Sequence, residues 1–170
     1  IGLLSAAAAW PMRDAYAQLP SYLTSIEVPG AGNGEPAFPC DVAVDVTGNV
    51  FVTDSRSNHV QKLGPTGSFM LSFGSQGVGD GQFSYMMGIV VDRDGFIYAS
   101  DVYTSTGSGR VEKFTPSGQF WSQWSVPGGL GTGGSAQGLA LGPDGNVYVA
   151  DQALHCVHRF TASGVYVQKF

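Results

Sequence analysis

Histidine, cysteine and aspartate are the residue types in this sequence that could bind a metal or carry out acid–base chemistry. The chain has three histidines, His59, His155 and His158, and two cysteines, Cys40 and Cys156. A zinc site needs several such ligands to converge in space. We expect His59 and His155 at equivalent loop positions of two different sequence repeats, and His158 two places inside a strand. The spacing of the histidines therefore predicts no metal site.

The other reactive groups show no catalytic pattern. Cys40 and Cys156 lie far apart in predicted strands, which argues against a disulfide framework and makes two buried thiols the simplest expectation. No Ser-His-Asp order, G-x-S-x-G elbow or paired-cysteine motif is present. The run 92–95, DRDG, is similar to part of a calcium loop, but Val90 stands where the first ligand should be and no closing glutamate follows. We predict no catalytic residue, no metal and no cofactor.

Three aspartates recur at the ends of similar segments. Asp54, Asp101 and Asp151 close VAVDVTGNVFVTD, IVVDRDGFIYASD and LALGPDGNVYVAD, at spacings of 47 and 50 positions. A carboxylate at the end of a strand can accept hydrogen bonds from loop amides and fix the turn. Because the aspartate recurs in three repeats, a structural role is favoured over a unique active site.

Each segment is followed by a second shared one, namely HVQKLGPTGSFMLSF, RVEKFTPSGQFWSQW and VHRFTASGVYVQKF. Glycines recur in register where short hairpins need a positive φ, at Gly48, Gly67, Gly95, Gly118, Gly145 and Gly164. Strands such as 50–53 and 147–150 are apolar at nearly every position, as expected when both faces of a sheet are covered. Each repeat therefore predicts four strands joined by turns and loops, the size of one propeller blade.

These segments resemble the NHL repeat family, whose pattern is D-x-x-G-N-[IV]-[YF]-V-[AT]-D followed by N-[HR]-x-[IV]-x-x-[FY] and a glycine turn. The closest match ends at Asp54 and continues through residues 58–62, NHVQK. The resemblance covers about residues 22–170 and implies an all-β fold, a β-propeller of four-stranded blades. It implies about three blades, half of a six-bladed ring, with repeats at about 39–86, 87–136 and 137–170.

Residues 1–21 are expected to be an N-terminal arm or the remainder of a targeting segment. The run IGLLSAAAAW is too short to span a bilayer. Residues 15–17, Ala15-Tyr16-Ala17, have the small-x-small form that signal peptidases accept. Secretion or an organelle lumen therefore stays open beside a retained surface arm. No membrane span is predicted.

Charge narrows the class of partner. The formal net charge is -5 and only eight lysines and arginines are present. Nucleic-acid binding requires clustered positive charge, so RNA binding, which is known for some NHL proteins, is disfavoured. We expect protein partners that are basic or neutral. An open half-ring would expose apolar blade faces, so missing blades or a partner should cover them.

The function predicted from these observations is that of a non-catalytic protein-interaction or scaffold module, a subunit of a larger assembly. The longer loops share the end of the blades opposite the glycine hairpins, and loops vary without disturbing the sheets. The alternative is a metal-dependent propeller enzyme similar to the amidating lyases or to propeller hydrolases. Met86 and Met87 stand where such an enzyme would place a metal-binding histidine, which counts against it. The candidate contact residues on the long loops are Arg56, Asn58, Tyr103, Arg110, Gln152 and His155.

Overall fold

The computed structural model describes residues 38–102, 108–128 and 135–170. Within these ranges the chain forms three four-stranded antiparallel sheets, each built from consecutive strands. The first is β1 (Pro39–Val44), β2 (Val50–Asp54), β3 (His59–Leu63) and β4 (Phe69–Phe73). The second is β5 (Met86–Val91), β6 (Ile97–Asp101), β7 (Arg110–Phe114) and β8 (Phe120–Ser125). The third is β9 (Ala136–Leu141), β10 (Val147–Asp151), β11 (Cys156–Phe160) and β12 (Tyr166–Lys169).

Each sheet is one blade, and the predicted all-β propeller of four-stranded blades is confirmed. The predicted N-terminal arm, residues 1–21, lies outside the described residues. Among the residues that the structure describes, no helix has the length and apolar character that crossing a bilayer requires.

The hairpin after β1 shows why the repeat carries aspartate, glycine and asparagine together. Gly48 has φ 85, a left-handed conformation that suits glycine. The Asp45 carboxylate accepts the amide hydrogens of Thr47 and Asn49, each at 2.9 Å. Burial alone would raise the pKa of Asp45, but hydrogen bonds from Thr47 and Asn49 lower it to about 2. In the third repeat Gly142 occupies the Asp45 position, and Asp144 accepts the hairpin amide of Asn146 instead, at 3.1 Å.

The hydrophobic core lies between the blades. One cluster joins the facing sides of blades 1 and 2 and centres on Phe51, Phe73, Ile89 and Phe114. A second joins blades 2 and 3, with Tyr98 and Val111 packed against Val147, Val149 and Phe160. The nearly continuous apolar strands are explained by this arrangement, because blade 2 is covered on both faces.

The first strands of the blades lie side by side, with β5 in contact with both β1 and β9. Hydroxyl groups connect neighbouring blades here. Thr53 Oγ1 donates to the carbonyl of Met87 at 2.9 Å, and Ser100 Oγ donates to the carbonyl of Gln137 at 2.7 Å. A Cβ on Gly88 would come within 2.6 Å of the Gln137 carbonyl oxygen, so only glycine permits this approach of β5 to β9.

Gly88→Ala tests this close approach. Neither backbone can retreat without disturbing its own sheet, so we expect the free energy of unfolding to fall by about 1–3 kcal/mol. Urea unfolding followed by tryptophan fluorescence measures the change.

Gly138→Ala is the matched control, because Gly138 occupies the equivalent repeat position and a Cβ there would meet only the Ala150 Cβ, at 3.9 Å. We expect its stability to change by less than about 0.5 kcal/mol. Equal losses in the two variants would contradict the proposed steric contact.

Candidate functional site

The three long-loop connections between the second and third strands of the blades begin at a buried aspartate. Asp54 accepts the amide hydrogens of Arg56 and Ser57 at 2.9 and 3.1 Å. Asp151 accepts those of Ser135 and Leu154, each at 3.0 Å. These carboxylates hold the loops against the ends of the sheets.

Asp101, at the same repeat position, binds the loop that precedes its blade. Its carboxylate accepts the amide hydrogens of Ser84 and Tyr85, at 3.1 and 2.8 Å. The three aspartates thus fix two kinds of loop, those within a blade and those between blades, at the same end of the sheets. We call this end the long-loop edge.

The predicted contact residues fall into three groups. The side chains of Arg56, Gln152 and His155 are exposed. Asn58 and Arg110 are only 4% and 5% exposed, so their side chains lie below the surface of the long-loop edge. Tyr103 lies outside the described residues.

Asn58 and His155 share a backbone conformation that corrects the sequence alignment. Both are non-glycine residues with positive φ, 54 and 51. In the strand pairing, Asp54 faces His59 and Asp151 faces Cys156, so His59 and Cys156 are equivalent. The expectation that His59 and His155 occupy equivalent positions was wrong by one residue, because Asn58 and His155 both end the loop in the left-handed region.

Arg110 is the central cation of a buried network in blade 2. Its guanidinium contacts Asp101 Oδ2 at 3.1 Å and Glu112 Oε1 at 3.0 Å. It also donates to the carbonyl of Val78 and to Gln123 Oε1, each at 2.8 Å. Arg110 therefore fixes the loop before blade 2 to the sheet, a role that its predicted contact function did not include.

Glu112 is fully buried in this network, and within the described residues its carboxylate has only contacts of poor hydrogen-bond geometry, including the one with Arg110. Burial raises the pKa of Glu112 to about 8, against the opposing charge of Arg110. The folded protein thus holds this proton more strongly than the unfolded chain does.

The equivalent positions of blade 3 carry different chemistry. Cys156 and His158 stand where blade 2 has Arg110 and Glu112, facing Asp151. His158 Nε2 lies 3.1 Å from Asp151 Oδ2 and 3.4 Å from Cys156 Sγ. The side chains of Asp151 and His158 are buried, and Cys156 is half-buried. We call these three residues the blade 3 cluster.

Asp151 is the anion of the blade 3 cluster. Burial alone would raise its pKa, but hydrogen bonds from the Ser135 and Leu154 amides and the contact with His158 lower it overall. Within the part of the chain that the structure describes, the buried His158 Nδ1 has no hydrogen-bond partner. The spacing of the three histidines does not predict this cluster, because its other two ligands are an aspartate and a cysteine. The signal that could have found it is the alternation of Cys156 and His158 on one strand face opposite Asp151.

Both cysteines are free thiols, in agreement with the expected absence of a disulfide. The expectation that both are buried was wrong for Cys40, which is exposed at the start of β1, where no strand of the described residues covers it.

A small cavity of about 250 Å³ lies at the long-loop end of the first strands, lined by Cys40, Asp41, Met87, Gly88, Gln137 and Gly138. The carboxylate of Asp41 accepts the amide hydrogens of Val42 and Ile89, each at 2.9 Å. The lining residues include no histidine and no second carboxylate, so they do not supply an acid–base pair.

Comparison with known proteins agrees with the repeat pattern. Residues 37–63 match the family model described as NHL repeat. This segment spans β1 to β3, the first three strands of blade 1. The resemblance drawn from the sequence is therefore confirmed.

Solved structures with the same fold include lyases and WD40 proteins. A streptogramin B lyase is 18% identical with a TM-score of 0.62, over 88% of this chain and 44% of that chain. Virginiamycin B lyase from Staphylococcus aureus is 15% identical with a TM-score of 0.60, over 80% and 42%. The WD40 repeats of RRP9 are 14% identical with a TM-score of 0.61, over 78% and 38%. The chain spans less than half the length of these proteins, and at such identities the likeness shows the fold alone.

Glu112→Gln tests the buried network of blade 2. Because the folded-state pKa of about 8 exceeds the ordinary value of 4.5, the contribution of Glu112 to stability is fully present below about pH 4.5 and is lost as pH rises through 8. Glutamine does not titrate. Between pH 5 and 8 we expect the native chain to lose on the order of a few kcal/mol more unfolding free energy than Glu112→Gln.

Urea unfolding at pH 5, 6.5 and 8 measures this difference. Asp94→Asn, which removes an exposed carboxylate, serves as the control and should retain the pH dependence of the native chain. Parallel pH profiles for the native chain and Glu112→Gln would show that Glu112 is ionised in the fold.

Proposed function

We propose that this chain, an NHL-repeat β-propeller protein, is a non-catalytic interaction module that binds a protein partner through its long-loop edge. The observation that carries this proposal is the contrast between constant and variable positions at that edge. The aspartates that anchor the loops recur in all three blades, whereas the loop residues that follow them differ. Loops 55–57 and 152–154 read Ser-Arg-Ser and Gln-Ala-Leu on the same framework. Such a surface can change its partner without changing its fold.

Charge supports a protein partner of basic or neutral character. The chain carries a formal net charge of -5. The exposed long-loop residues Arg56, Gln152 and His155 offer hydrogen-bonding groups and one fixed positive charge. This mixture suits a polar protein surface more than the uniform negative charge of a nucleic acid.

Apolar side chains exposed on the outer faces of blades 1 and 3 support membership of a larger assembly. Val42 is 57% exposed on blade 1, although Ile89, at the equivalent position of blade 2, is 2% exposed. Val157 is 36% exposed on blade 3, whereas Val60 and Val111 at the same repeat position are fully buried. We propose that further blades or a partner protein cover these faces, because apolar strand surfaces of this kind are buried wherever two described blades meet.

A metal-dependent propeller enzyme is the second candidate, and the lyases among the similar structures are its support. The cavity beside the first strands gives it no support, since its one carboxylate, Asp41, is already engaged by backbone amides. We therefore favour the interaction module.

Added negative charge at each of the two ends of the blades tests the proposal. The variant Arg56→Glu with Gln152→Glu alters the long-loop edge, and Arg93→Glu with Gln119→Glu makes the same chemical changes at exposed hairpin positions. Proteins captured by the native full chain are identified, purified and titrated against each variant by interferometry. We expect the long-loop variant to lose about tenfold or more in affinity and the hairpin variant to change less than about threefold.

Equal losses in the two variants would contradict binding through the long-loop edge. Catalytic turnover of a captured protein, or of a small molecule that comes with it, by the native chain would contradict the non-catalytic role.

A further inference from the structure

The blade 3 cluster brings together a carboxylate, a thiol and an imidazole at the long-loop edge, on the face of blade 3 that packs against blade 2. No two of the three ligand atoms lie more than 4.8 Å apart. We propose that Asp151, Cys156 and His158 bind a Zn²⁺ ion, with water at the fourth position.

The strand ladder preorganises the ligands. Asp151 ends β10 and is paired directly with Cys156, the first residue of β11. His158 follows two positions later, so its side chain lies on the same face of β11 as that of Cys156. All three side chains thus converge without any rearrangement of the backbone.

The separations suit tetrahedral coordination. Zinc bonds to nitrogen, oxygen and sulfur place neighbouring ligand atoms about 3.3–3.6 Å apart in a tetrahedron. His158 Nε2 lies 3.1 Å from Asp151 Oδ2 and 3.4 Å from Cys156 Sγ. These two separations lie within a few tenths of an ångström of the tetrahedral values.

Blade 3 carries a different residue beside its buried aspartate from the one in blade 2. There the buried Asp101 faces the guanidinium of Arg110, at 3.1 Å. In blade 3 Cys156 occupies the position that Arg110 has in blade 2 and faces Asp151. His158 turns its Nε2 toward Asp151 and Cys156, and its buried Nδ1 has no hydrogen-bond partner among the described residues.

A zinc ion would place beside Asp151 the positive charge that Arg110 places beside Asp101. The Cys156 thiol forms the Zn–S bond as its proton leaves to solvent, while the Asp151 carboxylate and neutral His158 each donate an oxygen or nitrogen lone pair. The two negative charges of thiolate and carboxylate then balance the Zn²⁺ charge, leaving a neutral buried unit. A thiolate and an imidazole favour zinc over calcium or magnesium, which prefer oxygen ligands alone.

The Cys156 side chain gives the cluster its exposure to solvent. Cys156 is half-buried and follows the exposed His155 directly. Three protein ligands leave one coordination position open, as in zinc sites that hold a water molecule.

Zinc titration of the chelator-stripped full chain, in competition with a chromophoric zinc indicator, tests the site. We expect one equivalent of Zn²⁺ per native chain and binding weakened by about tenfold or more in Cys156→Ser and in His158→Gln. Cys40→Ser and His155→Gln are the matched controls, since Cys40 is the other free thiol and His155 is adjacent to the cluster without belonging to it. Both controls should bind zinc like the native chain.

Two further measurements separate metal binding from a structural effect. Co²⁺ bound to the native chain should show thiolate charge-transfer and tetrahedral ligand-field absorption, both absent in Cys156→Ser. The double variant Cys156→Arg with His158→Glu transplants the side chains of Arg110 and Glu112 into blade 3, so it should fold yet bind no zinc. Unaltered zinc affinity in Cys156→Ser, or failure of the folded native chain to compete with the indicator, would overturn the proposal.

Discussion

Each described sheet carries apolar side chains on both faces, and the need to bury both faces is the constraint on which the rest of the structure depends. Blade 2 meets it completely, with one core cluster on each side. The packing requires β5 to approach its neighbours closely, which the glycine at position 88 allows. Since the cores lie between sheets, the loops at the blade ends are not needed for burial and can carry binding groups.

The buried aspartate at the end of the second strand creates a second, local demand. It anchors loop amides in every blade, but a buried carboxylate also needs a polar or positively charged neighbour. The residues at the first and third positions of the third strand differ from blade to blade: His59 and Gln61, Arg110 and Glu112, Cys156 and His158. The same loop-anchoring aspartate thus has different side chains near it in each blade, and in blade 3 these side chains complete the proposed set of zinc ligands.

Much of the fold was predictable because its signals are local and periodic. The glycines at 48, 95 and 145 mark hairpins whose positive φ excludes most side chains, and they appear in the sequence at regular intervals. The candidate site was harder to predict. Asn58 and Arg110 belong to polar residue types that usually lie at the surface, yet they are buried because the neighbouring loop segments close over them.

By itself, the sequence determined that this chain folds into four-stranded blades, since strand pattern and turn chemistry act over a few residues at a time. Only the tertiary structure decided which side chains meet at the blade ends. The juxtaposition of Asp151, Cys156 and His158 depends on the register between β10 and β11, and a shift of one residue would turn Cys156 and His158 to the opposite face of the sheet.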